Sequence, residues 1–235
     1  YPEGYAVMWK TCVLCALVCR DAEWLHYLVI SPTGNHHVLV TYGLTDDFVS
    51  LKGAAYHGDI LRALNEVGQS LENGGVRFFN AAVKSIYDAV TSQVLPDLTL
   101  PAFGHSNIGL KAESYGFATA YRYYRDPVYL SFTSDDFRRD DSARIFWDDT
   151  SVPLVHHRVT RSTALDGVGL TVLRVQGGEV AVAVNWGAPK RNDPGRLDFE
   201  YCADDGLVMV GDACMAPTAL LVPGGAIDYQ HMNEE

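Results

Sequence analysis

The spacing of apolar residues changes once along this chain, and that change limits the folds it can adopt. Up to about residue 140, apolar side chains recur every three or four positions, which is the period of an amphipathic helix. From about Gly167, apolar and polar residues alternate and β-branched residues dominate, as they do in strands. Helices followed by strands indicate an α + β protein with consecutive domains, not a wound α/β sheet.

Gly, Pro and Asp clusters divide the two regions into shorter segments. The predicted helices cover Tyr5–Leu28, Asn35–Leu44, Tyr56–Leu71, Val76–Val94 and Leu110–Tyr124. The predicted strands cover Val168–Val175, Glu179–Trp186, Leu197–Tyr201 and Leu207–Val210. The sequence therefore predicts a helical domain over residues 1–140, a linker over 141–166 and an antiparallel β region over 167–235.

Charge and hydropathy exclude two classes of partner. Eighteen Lys and Arg residues against 29 Asp and Glu residues give a net charge of −11, which opposes binding of nucleic acid or an anionic membrane by the surface as a whole. The longest apolar stretch, Val13–Val18, is far shorter than the roughly 20 residues of a membrane-spanning helix. We expect no nucleic-acid partner and no membrane span, and an acidic ligand would need a local basic pocket.

Five cysteines divide into two groups. Cys12, Cys15 and Cys19 fall along one helical stripe together with Met8. Three thiolates could hold a metal ion, but their Val and Leu neighbours favour buried core thiols. Cys202 and Cys214 lie in the strand-rich region, where a disulfide between them stays open.

Candidate chemical groups occur at two predicted helix starts. Asn35 and His36 could donate hydrogen bonds to an anion near a helix N-terminus, although a capping Asn followed by surface histidines gives the same pattern. Tyr56 and His57 open the next helix. A phenol can transfer protons where its surroundings lower its pKa, but most tyrosines only pack.

Two further groups lie later in the chain. Tyr115 and Arg122 belong to an aromatic-rich stretch that could stack on sugar rings or fill the space between helices. Arg191 and Asp193 begin a polar turn, followed by Asp212 and His231. Two carboxylates and a histidine could hold Zn²⁺ or Ca²⁺, and a turn with solvated charges is the alternative.

Taken in order, these segments resemble the heparinase II/III-like family of polysaccharide lyases, which includes related alginate lyases. The similarity covers most of the chain. It is carried by Asn35-His36, Tyr56-His57, Leu100-Pro101-Ala102-Phe103-Gly104-His105-Ser106, Gly169 to Arg174, Arg196 to Tyr201 and Val210-Gly211-Asp212. The resemblance implies an incomplete (α/α) toroid followed by an antiparallel β-sandwich.

The resemblance also implies β-elimination, in which the C5 proton of a uronic acid is removed and the bond to O4 breaks. Asn35 and His36 would bind the sugar carboxylate and stabilise the enolate-like transition state. Tyr56 would move the proton. The groups implied to contact the sugar are His57, Tyr115 and Arg122.

One family position differs in a way that matters for catalysis. Arg191 stands where the family has a catalytic histidine, and a guanidinium can neutralise charge but cannot act as a base at ordinary pH. Asp193, Asp212 and His231 would hold a structural Zn²⁺. A catalytically impaired carbohydrate-binding relative of the same fold is therefore the alternative to an active lyase.

The resemblance further implies the setting in which the protein works. The partner would be an acidic polysaccharide or oligosaccharide, and the location would be periplasmic or secreted. A half-toroid and a partial sheet would expose apolar faces, so we expect a homo-oligomer or a missing chain segment.

Overall fold

A computed structural model describes residues 2–50, 53–101, 110–112, 116–132, 158–185, 198–203, 206–210, 220–222 and 225–227. The α-helices are α1 (Pro2–Cys19), α2 (Ala22–Val29), α3 (Asn35–Gly43), α4 (Ala54–Asn73), α5 (Ala81–Thr91) and α6 (Phe117–Tyr124). The strands are β1 (Thr163–Leu165), β2 (Leu170–Val175), β3 (Val180–Asn185), β4 (Asp198–Ala203), β5 (Gly206–Val210), β6 (Leu220–Val222) and β7 (Gly225–Ile227). Short 3₁₀ helices cover Pro127–Phe132 and Gln176–Gly178. The protein is thus a mixed α + β structure in which helices precede strands, as the sequence predicts.

The first predicted helix is divided into two helices at Arg20 and Asp21. Arg20 has a left-handed φ of 56° just after the end of α1. Asp21 then caps α2, because its carboxylate accepts a hydrogen bond from the backbone N–H of Trp24 at 2.9 Å. An aspartate at this position satisfies an N–H group that the first turn of a helix leaves unpaired. The apolar spacing continues through the break, so the pattern alone predicts one helix.

The core of the helical region lies where α1 packs on α4. Trp9 of α1 is fully buried, and its indole Nε1 donates a hydrogen bond to the Leu28 carbonyl at 2.9 Å, which also ties α1 to α2. Gly68 of α4 lets two aromatic rings approach the helix. A Cβ at Gly68 would lie 2.4 Å from the Phe79 ring and 2.7 Å from the Phe78 ring. Gly68 therefore fixes the position of aromatic residues that adjoin the candidate site.

The cysteine stripe of α1 is more exposed than its apolar neighbours predict. Cys12 is half-buried, whereas Cys15 and Cys19 are exposed, and all three are free thiols. The buried face of α1 is formed instead by Ala6, Trp9, Val13 and Ala16. The prediction of buried core thiols is therefore wrong for Cys15 and Cys19. Because α1 carries apolar residues around its whole circumference, its sequence does not show which face points inward.

The strands form one main antiparallel sheet in the order β1–β2–β3–β4–β5, and β6 pairs with β7. The register sets Val172 opposite Ala183 and Val182 opposite Tyr201. The four predicted strands correspond to β2 through β5. Strand β1 lies within the segment predicted as a linker, so the sheet begins earlier than the change in periodicity suggests.

The sheet packs directly against the helical region. On β2, Leu170 and Val172 are buried while Leu173 and Val175 are exposed, which is the alternation expected for a strand with one covered face. The covered face forms a core with helical-region residues and with the next strand: Val49, Ala89, Leu95, Ala181 and Ala183. The helices and the first strands therefore share a core.

No helix within the described ranges has the length and apolar character that a membrane crossing requires.

Candidate functional site

Asn35 and His36 begin α3 where the sequence predicts a helix start. The preceding Gly34 is the N-cap residue, and a Cβ at this position would lie 1.7 Å from the carbonyl oxygen of Tyr27. Only a residue without a side chain lets α3 begin this close to the end of α2. The two polar residues are thereby held beside α1 and α2.

His36 lies in a slot between two aromatic side chains. Its ring stacks on Trp9, with centroids 5.4 Å apart, and tilts against Phe78 at the same centroid distance. Burial and, to a smaller extent, the neighbouring His37 lower the pKa of His36 to about 4, and a hydrogen bond to the Val29 carbonyl opposes the shift. The ring is therefore neutral at neutral pH.

The tautomer of His36 follows from its contacts. Nε2 is buried and has no hydrogen-bond partner among the described residues. The nitrogen that donates to the Val29 carbonyl is then Nδ1, and Nε2 carries the lone pair. A lone pair can accept a proton but cannot donate a hydrogen bond to a carboxylate.

A phenol from α1 joins this cluster. Desolvation and the nearby Tyr27 raise the pKa of the Tyr5 phenol, a hydrogen bond with the Asn35 side chain lowers it, and the net shift is upward. Tyr5 is therefore protonated at neutral pH and can donate a proton. The sequence does not point to Tyr5, because only the packing of α3 against α1 brings the two side chains together.

Tyr56, the phenol predicted from the sequence, lies on the first turn of α4. Gly68, where Phe78 contacts the same helix, is twelve residues further on, which corresponds to about 18 Å along the helix axis. The Asn35–His36 pair adjoins the Phe78 end of α4. Tyr56 and that pair are therefore placed at different ends of the helix.

His57 has a structural environment. The backbone N–H of Ser50 donates to its Nδ1 at 3.2 Å, and its Nε2 lies 3.0 Å from the carbonyl oxygen of Ile86, to which it donates. The residue is 1% exposed. Both ring nitrogens are engaged and no ring surface is accessible, so in this conformation His57 connects the loop before α4 to α5 and cannot contact the predicted substrate.

We expect His57 to make the stability of the fold sensitive to acid. Burial lowers its pKa from 6.5 to about 4, so between these values the unfolded chain binds more protons than the folded chain. The stability that the fold gains from a neutral, buried His57 is fully present above about pH 6.5 and is lost as the pH falls towards 4. From about pH 7.5 to about pH 5 the free energy of unfolding should fall by about 2 kcal/mol on this account.

Urea unfolding of the parent and of His57→Gln at several pH values measures this effect. The variant should be less stable at neutral pH but should lose less stability on acidification. An identical pH slope in the two proteins would contradict the assignment.

Arg122 lies at the far end of a row of aromatic rings that starts at His36. Phe78 contacts Phe79 edge-on at 5.6 Å, and Phe79 stacks on Tyr123 at 4.0 Å. The guanidinium carbon of Arg122 lies 5.5 Å from the centroid of the Tyr123 ring. Arg122 is therefore separated from His36 by three aromatic side chains.

The remaining predicted residues, Tyr115, Arg191, Asp193, Asp212 and His231, lie outside the described residues. Within the described residues, no group of three or more His, Cys, Asp or Glu side chains could hold a metal ion. The zinc site stays a prediction.

No protein-family model matches the chain, and a search of the curated proteins finds no match.

Proposed function

We propose that this protein is a polysaccharide lyase that cleaves a uronate-containing polysaccharide by β-elimination. The proposed fold is an incomplete (α/α) toroid followed by a β-sandwich. The observation that carries the proposal is the contact at the start of α3 between the amide of Asn35 and the phenol of Tyr5, with His36 as the next residue of the helix. Elimination requires a donor to the sugar carboxylate, a base for the C5 proton and an acid for the departing O4.

Each group suits one of these roles. The amide N–H of Asn35 donates to the carboxylate and stabilises the charge that develops when the proton leaves. Nε2 of His36 carries the lone pair that takes the C5 proton, and a bound carboxylate would raise the pKa of the imidazole and strengthen the base. Tyr5 donates its proton to O4 as the C4–O4 bond breaks and a C4–C5 double bond forms.

This assignment changes two roles implied by the resemblance. Tyr5 replaces Tyr56 as the phenol, and His36 becomes the base instead of a carboxylate ligand. Because Nε2 is covered in the free protein, the ring must turn out of its slot between Trp9 and Phe78 when substrate binds.

The test measures the ultraviolet absorbance of the unsaturated product on a panel of alginates and glycosaminoglycans. Tyr5→Phe and Asn35→Ala should lower kcat by about 10² to 10⁴-fold, the usual contribution of a proton-transfer or oxyanion-stabilising group. Tyr56→Phe is the matched control and should keep the parent rate. Absence of product on every polymer, or equal rates for Tyr5→Phe and the parent, would reject the proposal.

A second candidate function, carbohydrate binding without turnover, is favoured by the exposed aromatic side chains of α2. Trp24 is 39% exposed and Tyr27 is 47% exposed, and Tyr27 adjoins Tyr5. Amphipathic rings of this kind pack on apolar surfaces while a polar edge stays hydrated, which suits a sugar ring. Saturable binding of oligouronates with no unsaturated product, weakened by Tyr27→Ala, would support this function over the lyase.

Other parts of the proposal follow from the resemblance. The partner would be an acidic polysaccharide, the location would be periplasmic or secreted, and Asp193, Asp212 and His231 would hold a structural Zn²⁺.

A further inference from the structure

The outer part of α1 carries a row of sulfur atoms. Met8, Cys12, Cys15 and Cys19 follow one another at intervals of four, three and four residues, which keeps them on one stripe of the helix. Met8 is 45% exposed, Cys15 and Cys19 are exposed, and Cys12 is half-buried. Cys15 and Cys19 take no part in the Asn35–Tyr5 contact at the proposed site.

We propose that this sulfur stripe binds the soft monovalent ion Cu(I), with Cys15 and Cys19 as the two principal ligands. The proposal is independent of the proposed lyase function. Met8 and Cys12 continue the stripe towards the start of α1, and the site itself is formed by the Cys15 and Cys19 thiols.

The helical spacing of Cys15 and Cys19 permits a shared metal ion but not a disulfide. Side chains four positions apart have Cβ atoms about 5–6 Å apart, whereas a disulfide requires about 3.5–4.5 Å. Cys15 and Cys19 therefore cannot form a disulfide without distorting α1. Two metal–sulfur bonds of about 2.3 Å span up to about 4.6 Å between the sulfur atoms, which thiols on successive turns can accommodate.

The ligand set favours Cu(I) over commoner divalent ions. Thiolate and thioether sulfur select soft ions, whereas zinc requires four ligands in a tetrahedral arrangement. Over the described ranges, no cluster of three or more His, Cys, Asp or Glu residues could complete such a site. Two thiolates suffice for a linear two-coordinate Cu(I).

Binding requires no oxidant. Each thiol releases its proton to solvent, two sulfur–copper bonds form, and copper stays in the monovalent state. The resulting dithiolate complex has a net charge of −1.

An anaerobic competition titration of the reduced full chain tests the proposal. The probe is Cu(I) held by bathocuproine disulfonate, whose absorbance falls as the protein withdraws copper. The parent should withdraw copper stoichiometrically, and the Cys15→Ser/Cys19→Ser double variant should bind it at least roughly 100-fold more weakly, as expected when the ligands of a thiolate site are removed. The Cys202→Ser/Cys214→Ser variant loses as many thiols and should match the parent.

Both replaced positions on α1 are exposed, and far-ultraviolet circular dichroism checks that the helix content is unchanged. Failure of the parent to withdraw copper, or parent-like affinity in the Cys15→Ser/Cys19→Ser variant, would overturn the proposal. Equally tight binding of Zn²⁺ at the same two cysteines would overturn the assignment to a two-coordinate soft ion.

Discussion

Replacing Arg174 with methionine is expected to lower the free energy of unfolding by about 4 kcal/mol. Arg174 lies on the covered face of β2 and is 7% exposed. Its guanidinium donates to the carbonyl oxygens of Ser92 at 2.7 Å, Val94 at 2.9 Å and Arg161 at 2.7 Å. Methionine fills a similar volume but leaves these buried acceptors without a donor.

The position of these carbonyls explains why the effect should be large. Ser92 is the C-cap residue of α5, and the last carbonyl groups of a helix have no partner within the helix and carry partial negative charge, while Val94 lies just beyond this end. Desolvation lowers the pKa of Arg174 to about 10, so the side chain remains a cation at neutral pH. Arg174 of β2 thereby satisfies the carbonyl group at the end of α5 and links the sheet to the helical region.

Arg158→Met is the matched control for this prediction. The Nη1 atom of Arg158 lies 3.1 Å from Glu179 Oε1, and both side chains are about half exposed. A solvent-exposed ion pair contributes about 0–1 kcal/mol, so breaking this pair should cost far less stability than the loss of the Arg174 contacts. Equal stability losses in the two variants would show that the Arg174 contacts do not hold the sheet in place.

The order of elements is the part of the fold that the sequence predicts well. A helix or strand that buries one face must repeat its apolar residues at the period of its backbone, so α4, α5 and β2–β5 are visible in the pattern. The sequence does not show which face of β2 packs against the helical region. Leu170 and Val172 alternate with Leu173 and Val175, so both faces of this strand are apolar, and the charged Arg174 falls on the covered one.

In the candidate site, too, the sequence predicts features that depend on neighbouring residues but not contacts that depend on the packing of distant segments. The start of α3 at Asn35 is predicted, because a glycine followed by polar residues after Ser-Pro is a local signal. The phenol that meets Asn35 is not predicted, because Tyr5 is thirty positions earlier and reaches Asn35 only through the packing of α1. Burial of both nitrogens of His57 depends in the same way on distant backbone groups.

Replacing Gly34 with alanine is expected to lower the free energy of unfolding by about 3 kcal/mol, at the upper end of the cost of forcing extra volume into a packed site. The backbone φ of Gly34 is −82°, which any residue adopts, so the effect is steric. The added Cβ would lie 1.7 Å from the Tyr27 carbonyl oxygen. Backbone cannot move aside as a side chain can, so α3 must shift away from α2.

Gly4→Ala provides the matched control, because no heavy atom lies within 4 Å of a Cβ built at Gly4 in α1. Alanine is the better helix former by up to about 1 kcal/mol, so this variant should be as stable as the parent or slightly more stable. Urea unfolding compares the three proteins, and parent-like stability of Gly34→Ala would contradict the tight approach of α2 and α3.

Asn35 and His36 follow Gly34 directly, so a shift of α3 should also separate Asn35 from Tyr5. If the lyase proposal is correct, Gly34→Ala should then lose activity even where enough folded protein remains to measure it, whereas Gly4→Ala should not.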